Sequence, residues 1–183
     1  MKEAEEYAIE FREELGLSDS SPLSARQLAE HLEIPVWDLT EHPAMPPSIV
    51  AHFSHTCQDD FSAMTVNDGT YKEIIHNDSH HPHRQNSNIA HELAHIILGH
   101  PAKPPMTDGC RNFDQRLEKE AHDLGFTLLV PKSAALFAVE NFKNIFEASE
   151  YYSVSKQLLE YRIRKTDARR WSMNRVRKKM RYS

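Results

Sequence analysis

Apolar residues recur at helical spacing in the first 32 residues. In residues 2–15 they fall three or four positions apart, which predicts an amphipathic helix that ends near Gly16. Ser24 and Gln27 then form a capping-box pattern, which predicts a second, shorter helix with Leu28 and Leu32 facing inward.

The pattern changes to that of β-strands in the middle of the chain. Residues 34–37 predict a short strand, which Pro35 restricts to the edge of a sheet. Residues 61–66 and 71–76 are two strand-like runs around the turn Asn67-Asp68-Gly69, so they predict a β-hairpin. Polar and proline-containing stretches at 42–47 and 77–83 are predicted loops.

Helical spacing returns after the hairpin. Candidate N-caps at 86–88 precede an apolar-rich helix that runs to Leu98, with Gly99 as its stop signal. A loop over 101–109 leads to a further helix over 113–129, which Pro131 ends, and the remaining residues read as short helices. The strands and helices together predict an α+β fold.

Composition is that of an ordinary globular protein. The 183 residues are 39% hydrophobic and 27% charged, enough for one domain with a substantial core. No stretch approaches about 18 apolar residues, so we expect no membrane span. The acidic, amphipathic N-terminus is not a signal peptide. Cys57 and Cys110 are too few for a disulfide framework, so we expect free thiols in a reducing cytoplasm.

Charge is unevenly distributed along the chain. The net charge is −5, yet residues 156–183 contain eleven Lys or Arg and two acidic residues. Such a basic tail favours contact with nucleic acid or an acidic partner, docking on the acidic remainder, or a solvated basic helix. Residues 145–162 read as a helix-turn-helix-like pair. Because the glycine common in such turns is missing, we favour packing or partner docking over DNA contact for this pair.

Candidate metal chemistry lies in the helix that ends at Leu98. His91 and His95 are four residues apart and share one helix face, so their imidazoles can hold one zinc ion. Glu92 follows His91 and can act as the general base toward an attacking water. The alternative is two ordinary histidines on a partly buried helix, which would be costly beside a buried acid without a partner.

A catalytic zinc site also needs a third protein ligand. The metzincin pattern fails because Leu98 and Pro101 stand where its glycine and third histidine belong, and His100 is better suited to capping the helix carbonyls. Glu118 and Glu120 on the next helix are better candidates. Both flank its apolar stripe, and position alone gives only a slight preference for Glu120.

The run RQNSNIAHELAHIILGHP, followed by EKEAHDLGFTLLVP, resembles the ImmA/IrrE metallo-endopeptidases, a gluzincin-like family. Further similar segments extend the resemblance over residues 1 to 165, roughly. It implies a zincin-like core with a small antiparallel sheet and a helical C-terminal region. It also implies His91 and His95 as metal ligands, Glu92 as general base and Glu120 as third ligand. Departures are His122, where the family pattern has a small polar residue, and Gly125, where it has alanine.

The resemblance also implies a function and a domain organisation. Relatives cleave a transcriptional repressor and are often encoded by mobile elements and their hosts, so a helix-turn-helix repressor is the expected substrate. We assign residues 1–140 to the metallopeptidase domain, and residues 141–183 to a helical region with the helix pair and basic tail. Zn²⁺ is the expected ion, and Mn²⁺ also suits the ligands. The alternatives are a non-catalytic zinc-containing regulator that binds nucleic acid or a protein partner, and a hydrolase of a small amide.

Overall fold

A computed structural model describes residues 2–67, 69, 71–101 and 114–181. These residues form nine α-helices and one three-stranded sheet, which confirms the α+β class. The predicted loop after Pro101, Cys110 and the first residue of the helix predicted at 113–129 lie outside the described residues, as does Asp68 in the hairpin turn. Cys57 is a free thiol, as expected.

The helices and strands have the following bounds. The strands are β1 (Val36–Asp38), β2 (Ala63–Asn67) and β3 (Lys72–His76). The α-helices are α1 (Lys2–Glu14), α2 (Ala25–His31), α3 (Pro47–Ala51), α4 (Pro82–Ile97), α5 (Gln115–Leu129), α6 (Lys132–Asn141), α7 (Ile145–Tyr151), α8 (Lys156–Lys165) and α9 (Ala168–Arg181). A π-helical turn at His52–Thr56 and a 3-10 turn at Gln58–Asp60 connect α3 to β2. None of these helices, within the described ranges, is long and apolar enough to cross a bilayer.

The sheet has the strand order β1-β3-β2, so β3 is its centre. β2 and β3 are antiparallel, with Thr65 opposite Ile74, which confirms the predicted hairpin. β1 pairs with β3 in parallel, with Trp37 opposite Ile75, and lies at the edge to which Pro35 restricts it. Ile74 and Ile75 of the central strand are both buried.

The chain forms two compact units. The first is Met1–Ser24 with Phe126–Ser183, and the second is Ala25–Gly125, which contains the sheet, α2 to α4 and the first part of α5. This division describes how the backbone packs. The assignment of residues 1–140 to the peptidase domain and 141–183 to a helical region stays a prediction.

Two buried arginines tie α1 to the C-terminal segments of its own unit. Arg12 donates to the carbonyl oxygens of Ala8 and Leu129, at 2.9 and 3.3 Å. Burial lowers the pKa of Arg12 to about 10, so its guanidinium is still charged at neutral pH. Arg162 donates to Val130 O at 2.7 Å and to Glu5 Oε1 at 2.6 Å. Because a buried charge is costly unless paired and hydrogen-bonded, these bonds specify how α1 packs in this unit.

The predicted helix pair is present as α7 and α8. Asn144 and Ser155 cap them, since their side chains accept hydrogen bonds from the backbone N–H groups of Glu147 and Leu158. Ser153 takes the left-handed conformation, with φ of 50°, in the turn where a glycine is common. Leu158 is buried in the core of its unit, which agrees with a packing role for α8.

Candidate metal centre

Helix α4 carries the histidine motif and begins earlier than its sequence indicates. Its N-cap is His81, whose Nδ1 accepts a hydrogen bond from the N–H of His83 at 3.2 Å, and Pro82 is its first residue. The prediction of N-caps at 86–88 is therefore wrong, because proline in the first turn starts the helix within the predicted loop. Asn86 caps α2 instead: its Oδ1 accepts from the N–H of Ala25 at 2.8 Å.

The two histidines of α4 face the same point, as their spacing predicts. Their Nε2 atoms lie 3.2 Å apart, and the ring centroids of His91 and His95 are separated by 4.8 Å. Neighbouring positions on α4 are buried and apolar, including Ile89 and Leu93, and they hold the helix against the core of its unit.

Glu118 of α5 completes a group of three potential ligands. One carboxylate oxygen of Glu118 lies 3.2 Å from His91 Nε2 and the other lies 3.6 Å from His95 Nε2. A tetrahedral zinc ion with bonds of about 2.0–2.1 Å separates its ligand atoms by about 3.3–3.4 Å, so this donor set fits the ion. The side chains of His91, His95 and Glu118 are 25%, 11% and 28% exposed, which leaves the group accessible to solvent. A catalytic site needs such access at its fourth position.

Glu120, the residue assigned by resemblance as the third ligand, does not join this group. It lies 3.5 Å from His100 Nε2, and its side chain is 48% exposed. The physical reason is helix geometry: residues two apart are rotated by about 200° around the axis, so Glu118 and Glu120 face opposite ways. The structure therefore brings Glu118, not Glu120, to the two histidines.

Gly125, which departs from the family pattern, also shapes the site. A Cβ atom at this position would lie 3.0 Å from Ala90 O and 3.2 Å from the Cα of His91, closer than ordinary packing allows. The absence of a side chain thus lets α5 approach the backbone of α4. Gly125 is seven residues after Glu118 and shares its helix face, so the close approach and the ligand lie on one side of α5. A glycine inside a helix costs about 1 kcal/mol of stability relative to alanine. Its presence within α5 could therefore have indicated a position where helices pack closely.

Glu92, the predicted general base, is buried and held by a neighbouring strand. Its Oε2 accepts a hydrogen bond from Thr65 Oγ1 of β2 at 2.7 Å. The bond engages one carboxylate oxygen and fixes the orientation of the side chain. Thr65 was not identified from the sequence, because only the packing of β2 against α4 brings the two residues together.

His122 lies on the same face of α5 as Glu118, four residues further on. Burial lowers the pKa of His122 below its ordinary value; Asp123 opposes this effect, and the nearby His91 adds to it. The side chain is therefore predominantly neutral at neutral pH, and one of its ring nitrogens is a hydrogen-bond acceptor.

Comparisons with known proteins add one finding. A peptidase family model, described as the IrrE N-terminal-like domain, matches residues 47–164. This is more than half of the chain, and it includes His91, Glu92, His95 and Glu118. No curated protein and no solved structure matches the chain significantly.

Proposed function

The chain belongs to the IrrE N-terminal-like peptidase family and has a metallopeptidase-type function; from this premise we propose that it is a zinc-dependent endopeptidase that cleaves a specific transcriptional repressor in the cytoplasm. In this proposal His91, His95 and Glu118 hold the ion, and Glu92 is the general base. The repressor substrate follows from the resemblance to the ImmA/IrrE enzymes.

The observation that carries the proposal is the geometry of the three ligand atoms. The two imidazole nitrogens lie 3.2 Å from each other, and each lies 3.2 or 3.6 Å from one of the two carboxylate oxygens of Glu118, at the spacing of ligands around a tetrahedral ion. A structural zinc site is normally closed by four protein ligands, whereas a catalytic site has three. Within the described part of the chain, this group has three. The donor set thus supports a catalytic site, and it suits Zn²⁺ and Mn²⁺ alike.

The residues around the ion supply the acid–base chemistry. Bound Zn²⁺ would polarise the scissile carbonyl and make water a better nucleophile. Glu92 takes a proton from the attacking water and passes it to the nitrogen of the departing amine, so the proton is conserved over the step. The hydrogen bond from Thr65 occupies Glu92 Oε2 and leaves the other oxygen free for this transfer.

The sheet supports a peptide substrate. Among the described residues β2 pairs with β3 on one side only, so its other edge has unpaired backbone groups. An extended peptide can add to such an edge through main-chain hydrogen bonds. Because Thr65 of this same strand contacts Glu92, a peptide on β2 would pass close to the general base. A small amide would make no use of this edge.

The alternative, a non-catalytic regulator that binds nucleic acid or a protein partner, has one observation in its favour. Helix α9 contains seven Lys or Arg and no acidic residue, and Met173 and Val176 are exposed on it. Salt-dependent binding of DNA by the protein would support this reading. A buried acid directly after a metal ligand is unnecessary in such a regulator, and for this reason we prefer the peptidase.

Co-expression with any repressor encoded beside the gene tests the proposal. Wild-type protein should produce a cleaved repressor, and Glu92→Gln should bind one equivalent of metal yet cleave at least about a hundredfold more slowly. Glu160→Gln makes the same substitution at an exposed position of α8 and should leave cleavage unchanged. Undiminished cleavage by Glu92→Gln would exclude Glu92 as the general base.

A further inference from the structure

His100 lies just beyond α4 and is buried against the metal ligand His95. Its side chain is 6% exposed, and its Nδ1 lies 2.9 Å from Nδ1 of His95. The two rings meet edge to face, with centroids 5.0 Å apart. Sequence alone suggested that His100 caps the helix carbonyls, and its backbone N–H does bond to His95 O at 3.0 Å. The side chain makes a separate contact with the ligand.

The end of α4 explains why these rings meet. Gly99 has φ of 65°, and its N–H bonds to Ile96 O, while the N–H of His100 bonds to His95 O. This pair of bonds is the Schellman motif, in which the second residue after the C-cap turns back over the residue three positions inside the helix end. Those two residues are His100 and His95. The motif usually brings apolar side chains together; here it brings a second imidazole to a ligand.

Hydrogen-bond chemistry then fixes the direction of the contact. The Nε2 of His95 faces the ligand group, so an imidazole that binds an ion there has its hydrogen on Nδ1. That Nδ1–H donates to Nδ1 of His100, which therefore has its own hydrogen on Nε2. Glu120 Oε2 lies 3.5 Å from this nitrogen without forming a hydrogen bond to it. From the ligand group outward, the side chains therefore stand in the order His95, His100 and Glu120.

We propose that His100 is a positioning residue of the metal centre: it accepts the Nδ1–H of His95 and so fixes the tautomer and ring orientation of that ligand. The inference rests on the proposed function, since it requires His95 to bind the ion. Glu120 then lies behind the metal ligands, beside His100, on the opposite side of α5 from Glu118. His100 is not itself a ligand, because its nitrogen meets the side of His95 that faces away from the ion.

Metal affinity and ligand geometry test the proposal on the full-length protein. Zn²⁺ affinity is measured by competition with a chromophoric chelator, and the visible absorption of bound Co²⁺ reports the geometry of the ligands. His100→Leu keeps comparable volume but accepts no hydrogen bond, so it should weaken Zn²⁺ binding about 10- to 100-fold and alter the Co²⁺ spectrum. His100→Asn can place an acceptor oxygen close to the position of Nδ1 and should recover most of the affinity and the wild-type spectrum. Glu120→Gln should weaken binding only a few-fold, because its contact with His100 is long.

Controls separate positioning from packing. His55→Leu removes an exposed histidine from another part of the same unit and should change neither the Zn²⁺ affinity nor the Co²⁺ spectrum. Circular dichroism of the metal-free variants establishes that each is folded. Equal losses for His100→Leu and His100→Asn would overturn the proposal in favour of a packing role, as would wild-type affinity in His100→Leu. Wild-type protein that binds neither ion would overturn the proposed function itself and this inference with it.

Discussion

Replacing Glu118 and Glu120 separately with glutamine tests which acid of α5 completes the metal centre. The two variants remove the same charge from the same helix, two residues apart, so their long-range electrostatic effects on a nearby cation are similar. Glu118 has both carboxylate oxygens within 3.6 Å of the ligand nitrogens, whereas Glu120 reaches only His100, at 3.5 Å. A difference between the variants therefore reports direct coordination.

The size of the difference follows from the number of ligands. Apparent zinc-binding free energies of about 10–16 kcal/mol for sites with four protein ligands correspond to about 2.5–4 kcal/mol for each ligand. With about 1.4 kcal/mol for each factor of ten, loss of the Glu118 ligand should weaken binding about 10²- to 10³-fold. Glutamine retains a neutral oxygen, so Glu118→Gln should lie near the lower limit and Glu118→Ala near the upper. Glu120→Gln should weaken binding less than about tenfold.

Competition between the protein and a chromophoric chelator for Zn²⁺ at neutral pH measures these affinities. Urea unfolding of the metal-free proteins checks that the three variants are equally folded. A larger loss in Glu120→Gln than in Glu118→Gln would refute the assignment and return the third ligand to the residue implied by resemblance. Equal small losses would mean that neither acid coordinates the ion.

Three further predictions concern packing, a buried ion pair and pH. Gly125→Val places a side chain against the backbone of α4, so it should lower the free energy of unfolding by about 1–3 kcal/mol and weaken Zn²⁺ binding; wild-type values in urea unfolding and zinc titration would contradict the close approach. Glu5→Ala removes the acceptor of Arg162 and should cost about 2 kcal/mol in urea unfolding, whereas its exposed neighbour Glu6→Ala should cost less than about 0.5 kcal/mol. The pKa of His76 is lowered in the folded protein, mainly by burial. As the pH falls, this histidine is therefore protonated at a higher pH in the unfolded chain than in the folded protein, and stability should fall as pH drops below about 6.5. His76→Gln should reduce that fall in thermal unfolding between neutral and mildly acidic pH; a curve parallel to the wild-type one would contradict it.

Much of the candidate site could be predicted from local spacing, but the acid that lies beside the two histidines could not. The spacing of His91 and His95 fixes their common face within one helix, so no tertiary information was needed. The choice between Glu118 and Glu120 depends on which side of α5 meets α4, and both acids flank the apolar stripe of α5. Only the approach at Gly125 distinguishes the two sides, and it is a contact between residues 35 positions apart, Ala90 and Gly125.

The fold shows the same limit. Alternating residues and an Asn-Asp-Gly turn were enough to predict the β2–β3 hairpin, because both strands are close in sequence. The parallel pairing of β1 with β3 has no local signal, since it joins Val36 to Ile74 across α3, two short helical turns and β2. Likewise the sequence did not indicate that α4 starts at Pro82. Its N-cap is His81, a residue type that rarely caps helices, whereas Asn86, the expected cap, bonds to the first residue of α2.

The pairing of α1 with the C-terminal helices has a consequence for biosynthesis. On the ribosome Glu5 of α1 is made well before its partner Arg162, which follows 157 residues later. At about 5–20 residues per second that interval is roughly 8–30 s, during which the apolar face of α1 has none of these native contacts. The residues of the metal centre are all contained in the contiguous stretch Ala25–Gly125, which is synthesised before any of the C-terminal segment. The residues of the candidate metal centre can therefore be brought together in a nascent chain before the C-terminal partners of α1 have been synthesised.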